Sequence, residues 1–298
     1  MSTDGTYSVG LIGAGIGKSL SPALHEVEGR HLGFDYRYEV FDLDDLRLSA
    51  EGVLPLIAEL RERGFAGVNI THPCKRIAID AVDTLSPEAA QIGAINTIVF
   101  AGDAAVGHNT DLFGFREGFL RGLEQPEIDS VVVVGAGGAG SAVTHAMLAL
   151  GTTELTIFDL DRLQSARLAL AAADAFPRAS IQDASIDDLA RTLAAADGVV
   201  HATPVGMVGH PGTAFAPELL RPDLWVAEVV YRPLETELLR NAKALGCRTV
   251  DGGAMAVFQA VEAFRLFTQR EPDAERMLRH FAELIGAEPS EEDLVALA

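Results

Sequence analysis

Cysteine is nearly missing from this chain: Cys74 and Cys247 are its two thiols, and neither belongs to a C-x-x-C pair. That excludes a disulfide framework and makes free thiols in a reducing cytoplasm the expectation. An excess of positive charge is missing too. The formal net charge is -20, and nucleic acid and anionic membrane surfaces attract lysine and arginine patches, so neither is an expected partner. No stretch reaches about 18 uninterrupted apolar residues, and the opening M-S-T-D-G-T-Y-S has no basic segment leading into an apolar run. A soluble, unexported, cytoplasmic protein is expected. The 8 histidines show no H-x-x-x-H or His/Cys spacing of the kind zinc uses, so no metal is expected. Lysine is scarce as well, with Lys18, Lys75 and Lys243 the only lysines among 23 basic residues. Arginine cannot shed its proton and lysine can, so each of the three marks a place where a labile ammonium is available.

What is present is a chain of 298 residues with 48% hydrophobic content, enough for a sizeable core in two domains or one large one. Its organising stretch is V-V-V-V-G-A-G-G-A-G-S-A-V from Val131 to Val143. Four β-branched residues suit a strand buried on both faces, and the turn after them carries Gly135, Gly137, Gly138, Ala139 and Gly140 before an alanine-rich helix begins. Strand, glycine turn and helix together bring backbone N–H groups and a helix N-terminus against a pyrophosphate. A dinucleotide site follows. The next strand, Leu155 to Phe158, ends in Asp159-Leu160-Asp161-Arg162. An acid roughly 20 residues past the glycine turn accepts hydrogen bonds from the adenosine ribose and repels a 2′-phosphate, so Asp159 favours NAD over NADP. Asp161 reads either as a second acid or as a helix cap, and Arg162 as an adenine or phosphate contact. Further strands are expected at Gly198 to His201, Trp225 to Val230 and Cys247 to Val250, completing a parallel sheet. The loops Thr203-Pro204-Val205-Gly206-Met207 and Tyr231-Arg232-Pro233 fall on the edge that carries the glycine turn.

The N-terminal half has the same rhythm. Val9 to Ile12 runs into G-A-G-I-G-K-S-L-S-P, where a phosphate loop would require glycine at Ile12 and a dinucleotide turn would require glycine at Lys18. Both readings fail. Ser19 and Ser21 offer hydroxyls there, equally suited to a turn and an N-cap, and Pro22 opens a helix. A strand at Tyr36 to Phe41 precedes a helix with Val53, Leu56, Ile57 and Leu60 on one face, stopping at Gly64. The strand Ala66 to Ile70 ends in T-H-P-C-K, so Thr71, His72 and Lys75 project from a carboxyl end, where open sheets bind ligands. Asn96 and Thr97 interrupt an apolar run and must find partners, in the backbone or in a ligand hydroxyl. Gly107 to Asp111 reads as a loop crossing between domains, with Asp111 a candidate cap of the helix around Phe113 to Phe119. After Gly252-Gly253 comes a long helix with Met255, Gln259 and Glu262 on one face, and the acidic C-terminal stretch is expected to fray.

S-L-S-P at Ser19, N-I-T-H-P-C-K at Asn69, G-A-I-N-T at Gly93, N-T-D at Asn109, G-A-G-G-A-G at Gly135, T-P-V-G-M at Thr203 and D-G-G-A-M-A-V-F-Q at Asp251 resemble, in order and spacing, the signatures of the shikimate dehydrogenase family. The resemblance implies an α/β fold: a substrate-binding and catalytic α/β domain, 1–111 plus 253–298, and a Rossmann-type doubly wound parallel-sheet domain, 112–252, with the C-terminal helices returning to the former. It implies that Lys75 and Asp111 form the catalytic pair, and that Ser19, Ser21, Thr71, Asn96, Tyr231 and Gln259 hold the hydroxyls and carboxylate of a cyclic polyol acid. Around the cofactor it implies the glycine turn, Asp159, Asp161, Arg162, Thr203, Pro204, Gly206, Met207, Val230, Gly253 and Met255. NADP-using members resemble Asn-Arg-Thr where this chain has Asp159-Leu160-Asp161, and the change is similar to the NAD-using quinate/shikimate dehydrogenase branch. Members of that branch can carry threonine where this chain has Ser21. The implied reaction is reversible oxidation of quinate or shikimate with NAD in a monomer or homodimer. The alternatives are an NADP-dependent shikimate dehydrogenase and a silent sensor on the same fold, and the presence of both Lys75 and Asp111 argues against the sensor.

Overall fold

The computed structural model describes residues 5–286, and most of the acidic stretch expected to fray lies outside the described residues. Two six-stranded sheets organise the described residues. The first contains β1 (Thr6–Gly13), β2 (Asp35–Asp42), β3 (Gly67–Ile70), β4 (Thr84–Leu85), β5 (Thr97–Ala101) and β6 (Ala104–His108), in the order β2-β1-β3-β5-β6-β4. β1 runs parallel to β2 and β3, whereas β5 is antiparallel to β3 and β6. Between these strands lie α1 (Ser21–His31), α2 (Leu43–Leu46), α3 (Val53–Glu62) and α4 (Pro87–Ile92). The spacing of Val53, Leu56, Ile57 and Leu60 turns all four inward on α3, against Ile12, Val68 and Ile70. Two expected boundaries move. Gly107 and His108 complete β6 instead of forming a loop, because Ile98 and Thr97 of β5 pair with them. Asn109, not Asp111, caps the next helix, its side chain accepting from the N–H groups of Asp111 and Leu112.

That helix, α5 (Thr110–Gly122), leads to the second sheet. There follow β7 (Ser130–Val134), α6 (Gly138–Leu150), β8 (Glu154–Phe158), α7 (Arg162–Ala175), β9 (Ser180–Asp183), α8 (Leu189–Leu193), β10 (Gly198–His201), β11 (Trp225–Glu228), α9 (Glu237–Ala244) and β12 (Thr249–Val250). The order β12-β11-β10-β7-β8-β9 is parallel throughout, a doubly wound sheet whose winding reverses beside β7. The valines of β7 divide between two cores: Val131 and Val133 meet Phe115 and Phe119 of α5, and Val132 and Val134 join the cluster of Leu193, Leu238 and Leu239. Both faces are covered along Val131–Val134, and that stretch carries no polar side chain. β11 and β12 are shorter than expected. β11 stops at Glu228 because its carboxylate draws in the N–H of Val230 at 3.0 Å and turns the chain.

α10 (Gly253–Thr268) returns to the first sheet, where Phe264 and Phe267 cover Tyr7, Val9 and Leu11, and α11 (Ala274–Gly286) packs over α10 and α1 through Met277 and Phe281. α5 and α10 touch along their backbones because Gly114 and Gly118 recur one turn apart. A Cβ added at Gly114 would lie 2.6 Å from the Met255 carbonyl oxygen and 2.8 Å from the Gln259 nitrogen. Gly114→Ala should therefore destabilise the protein. It gains about 1 kcal/mol of helix propensity, but a methyl forced that close to two backbone atoms that have no rotamer to escape into puts the overpacking cost at the upper end of its range, about 3 kcal/mol. A denaturation midpoint equal to or above that of the unaltered protein would refute this tight crossing.

Candidate active site

β7 passes into α6 through the glycine turn, and the packing there leaves no room for side chains at two positions. A Cβ at Gly135, whose φ is +111°, would lie 2.6 Å from the Ala202 carbonyl oxygen, and one at Gly140 would lie 2.0 Å from that of Gly135. Gly137 differs: it caps α6 with no side-chain hydrogen bond, and a Cβ there would meet nothing within 4 Å. The positive end of α6 is therefore left without a capping side chain. Asp159, directly after β8, accepts from the Ala136 N–H at 2.7 Å and from the Asp161 N–H at 2.8 Å, which sets its carboxylate at the edge of the glycine turn. Asp161 caps α7 through the Leu163 N–H. Arg162 turns to β9, where its Nη2 and Nε meet Asp183 at 2.7 and 3.1 Å. An uncapped helix end for a pyrophosphate and a carboxylate for ribose hydroxyls fit a dinucleotide.

The Thr203–Met207 loop is anchored from beneath by residues the sequence reading missed. His201, 1% exposed, bonds Glu228 Oε1 through Nδ1 at 2.8 Å and Thr203 Oγ1 through Nε2 at 2.5 Å. Glu228 also accepts from the Thr236 hydroxyl at 3.1 Å. The available signal was the polar residue that ends each apolar strand, G-V-V-H and W-V-A-E. Gly206 turns the loop at φ +91° and donates to the His210 carbonyl at 2.6 Å.

Opposite the glycine turn lies a continuous polar chain. Lys75 Nζ donates to Asp111 Oδ2 at 2.5 Å, with side chains only 17% and 9% exposed. Asn96 Nδ2 donates to Asp111 Oδ1 at 2.9 Å, the Thr97 hydroxyl to Asn96 Oδ1 at 3.0 Å, Asn69 Nδ2 to Thr97 at 2.9 Å, and the Tyr38 hydroxyl to Asn69 Oδ1 at 2.8 Å. Burial pushes the Tyr38 hydroxyl well above the usual phenol range, with a hydrogen bond from Ser21 acting in the other direction, so Tyr38 stays a neutral donor. Asn96 also meets Thr110, and its amide is spent within the protein. It holds Asp111 in place. The Lys75 stem lies across Gly138, its Cδ 3.1 Å from where a Cβ would stand, and Arg76 donates to the Ala136 carbonyl at 3.3 Å. The lysine and the dinucleotide turn therefore face each other.

Around this chain stand the other sequence candidates. The Ser19 hydroxyl donates to that of Ser21 at 3.2 Å, and Thr71 follows β3 so close to Gly13 that a Cβ there would lie 2.3 Å from its methyl. Gln259 sits on α10 against Gly114, one turn beyond Asp111, with its Nε2 on the Ala256 carbonyl at 2.9 Å. Tyr231 packs beside Phe281, and the neighbouring Arg232 donates to the Lys18 carbonyl, tying the loop after β11 to the serine loop. Two candidates occupy packing positions: Met255 joins the core of Phe115 and Val131, and Gly253 lies against Leu234.

Residues 11–98 match the family profile described as shikimate dehydrogenase substrate binding domain. The chain is 56% identical to a shikimate dehydrogenase (NADP(+)) of Streptomyces avermitilis, covering 95% of this chain and 98% of that one. It is 46% identical to a quinate/shikimate dehydrogenase (NAD(+)) of Corynebacterium efficiens over 93% of this chain and 98% of that one. Among solved structures, quinate dehydrogenase from Corynebacterium glutamicum in complex with NAD superposes with a TM-score of 0.85 at 44% identity, covering 93% of this chain and 99% of that one. A relative this similar over nearly its whole length, carried on the same two-sheet fold, establishes that the chain belongs to the shikimate dehydrogenase family.

Proposed function

We propose that this protein is an NAD-dependent dehydrogenase that oxidises quinate and shikimate reversibly to 3-dehydroquinate and 3-dehydroshikimate. The observation that carries the reading is the largely buried Lys75–Asp111 pair, 2.5 Å apart and laid against the glycine turn. Oxidising an alcohol removes a hydride from the carbon and a proton from the oxygen. A dinucleotide held by the glycine turn and Asp159 would supply the hydride acceptor. The proton falls to this chain: Lys75, as the amine, accepts it from the hydroxyl, and returns it when the ketone is reduced. Asp111, fixed by Asn96, keeps Nζ in one place. Ser19, Ser21 and Tyr231 suit the substrate carboxylate, and Thr71 and Gln259 its ring hydroxyls. Residues 1–111 and 253–298 form the substrate domain in this reading, and 112–252 the cofactor domain. Two buried thiols accord with a cytoplasmic setting.

The relatives divide by name between NADP and NAD, so the cofactor reading rests on Asp159. A 2′-phosphate placed at the ribose would meet that carboxylate, with Asp161 next in line, while Arg162 is already paired with Asp183. A two-by-two assay at one pH, quinate and shikimate against NAD and NADP, is the test. NAD should be preferred with either substrate, and Asp159→Asn should reduce that preference about tenfold, the worth of one charge-assisted hydrogen bond. A strong preference for NADPH would instead make this a biosynthetic shikimate dehydrogenase, the reading favoured by the 56% identical relative.

A further inference from the structure

The glycine-rich segment Gly13–Lys18 binds no nucleotide by its spacing, yet its backbone N–H groups do converge. They converge on a carboxylate of this chain. Asp42, at the end of β2 and 7% exposed, accepts from the N–H of Gly15 at 3.0 Å, of Ile16 at 2.7 Å and of Gly17 at 3.1 Å, and from the N–H of Asp44 at 3.1 Å. Four donors on one carboxylate compensate its burial. Gly15, with φ +66°, lets the chain wrap around it. A single turn, Ser19 N–H to the Ile16 carbonyl at 2.9 Å, separates this grip from Ser19, whose hydroxyl in turn meets Ser21.

We propose that Asp42 is a positioning residue for substrate recognition: by clamping Gly15 to Gly17 it sets the two serine hydroxyls at the carboxylate end of the site. The proposal rests on the reading of Ser19 and Ser21 as substrate contacts. Asparagine cannot replace Asp42, because its amide would point hydrogens at N–H groups that need an acceptor. The loop would move, and the serines with it.

The test is steady-state kinetics of Asp42→Asn, Ser19→Ala and the double variant, with the KM for the polyol acid and for NAD measured separately. Asp42→Asn should raise the KM for the acid about tenfold or more, as expected for loss of charged hydrogen bonds. The KM for NAD should stay within about twofold, and the double variant should be little worse than the poorer single one, because residues acting through one contact are not additive. An unchanged acid KM, an equal rise in both KM values, or multiplying single effects would overturn the proposal. If Ser19→Ala leaves the acid KM unchanged, the serine reading fails first; if it raises the KM and Asp42→Asn does not, Asp42 alone is excluded. Should Asp42→Asn not fold, Asp42→Glu keeps the charge, displaces it by one methylene and is read by the same criteria.

Discussion

Lys75→Ala is expected to lower kcat about 100- to 10,000-fold, the usual worth of a positioned acid–base group, while the KM for quinate or shikimate changes little. The reason is the division of labour in the site. The hydroxyls of Ser19 and Ser21 and the amide of Gln259 stay where they are, so the ground state keeps its contacts; only the group that takes the proton is removed. Removing Lys75 also strands the Asp111 carboxylate, only 9% exposed and left with its 2.9 Å bond from Asn96, so the variant should lose stability as well, and its kcat is read at a temperature where circular dichroism shows it folded. Lys75→Arg should be nearly as poor, since a guanidinium retains the charge and does not release the proton. Turnover close to that of the unaltered protein in Lys75→Ala would remove lysine from the mechanism.

Arg276→Met is expected to cost about 3–5 kcal/mol of stability, the range for stranding one member of a buried ion pair. Glu28 on α1 has a side chain 1% exposed, and its carboxylate is gripped by Arg276 Nη2 and Nε, each at 2.7 Å, and by the Asp273 N–H at 2.9 Å. The pair is asymmetric. Arg276 is 27% exposed and can be hydrated when its partner is lost, so Glu28→Gln should cost less, about 1–3 kcal/mol. Chemical denaturation of both variants checks the order, and Glu28→Gln being the worse of the two would contradict it. The lock matters for the site because α11 holds α1, and α1 begins at Ser21.

The two halves of the site differ in how far a reading of the chain reaches them. The dinucleotide turn is local: strand, glycines and helix occupy consecutive residues, each with its own backbone requirement, and Asp159 stands at a countable distance from them. Lys75 and Asp111 are both visible as residues, but their pairing came from the family resemblance, since no periodicity links positions 36 apart. Tyr38, Asn69, His201 and Glu228 escaped notice for a related reason. Each reads as an ordinary polar residue in or after an apolar strand, and only parallel pairing brings His201 opposite Glu228.

Asp42 is the clearest case. The sequence shows three glycines and a lysine in a loop without a ligand, and an aspartate 25 residues beyond Gly17; β1 and β2 lying side by side, with Gly13 opposite Asp42, turns those facts into a clamp. What the chain by itself determined was the alternation of strands and helices, the glycine turn, the acid after β8 and the residue types available for catalysis, because these depend on contiguous residues and their periodicity. Tertiary structure alone decided which groups meet: Lys75 with Asp111 across from Gly138, Asn96 spent on holding Asp111, and Arg162 drawn to Asp183. Hydrogen bonds and ion pairs act over about 3 Å, and distance along the sequence says nothing about them until the sheets have formed.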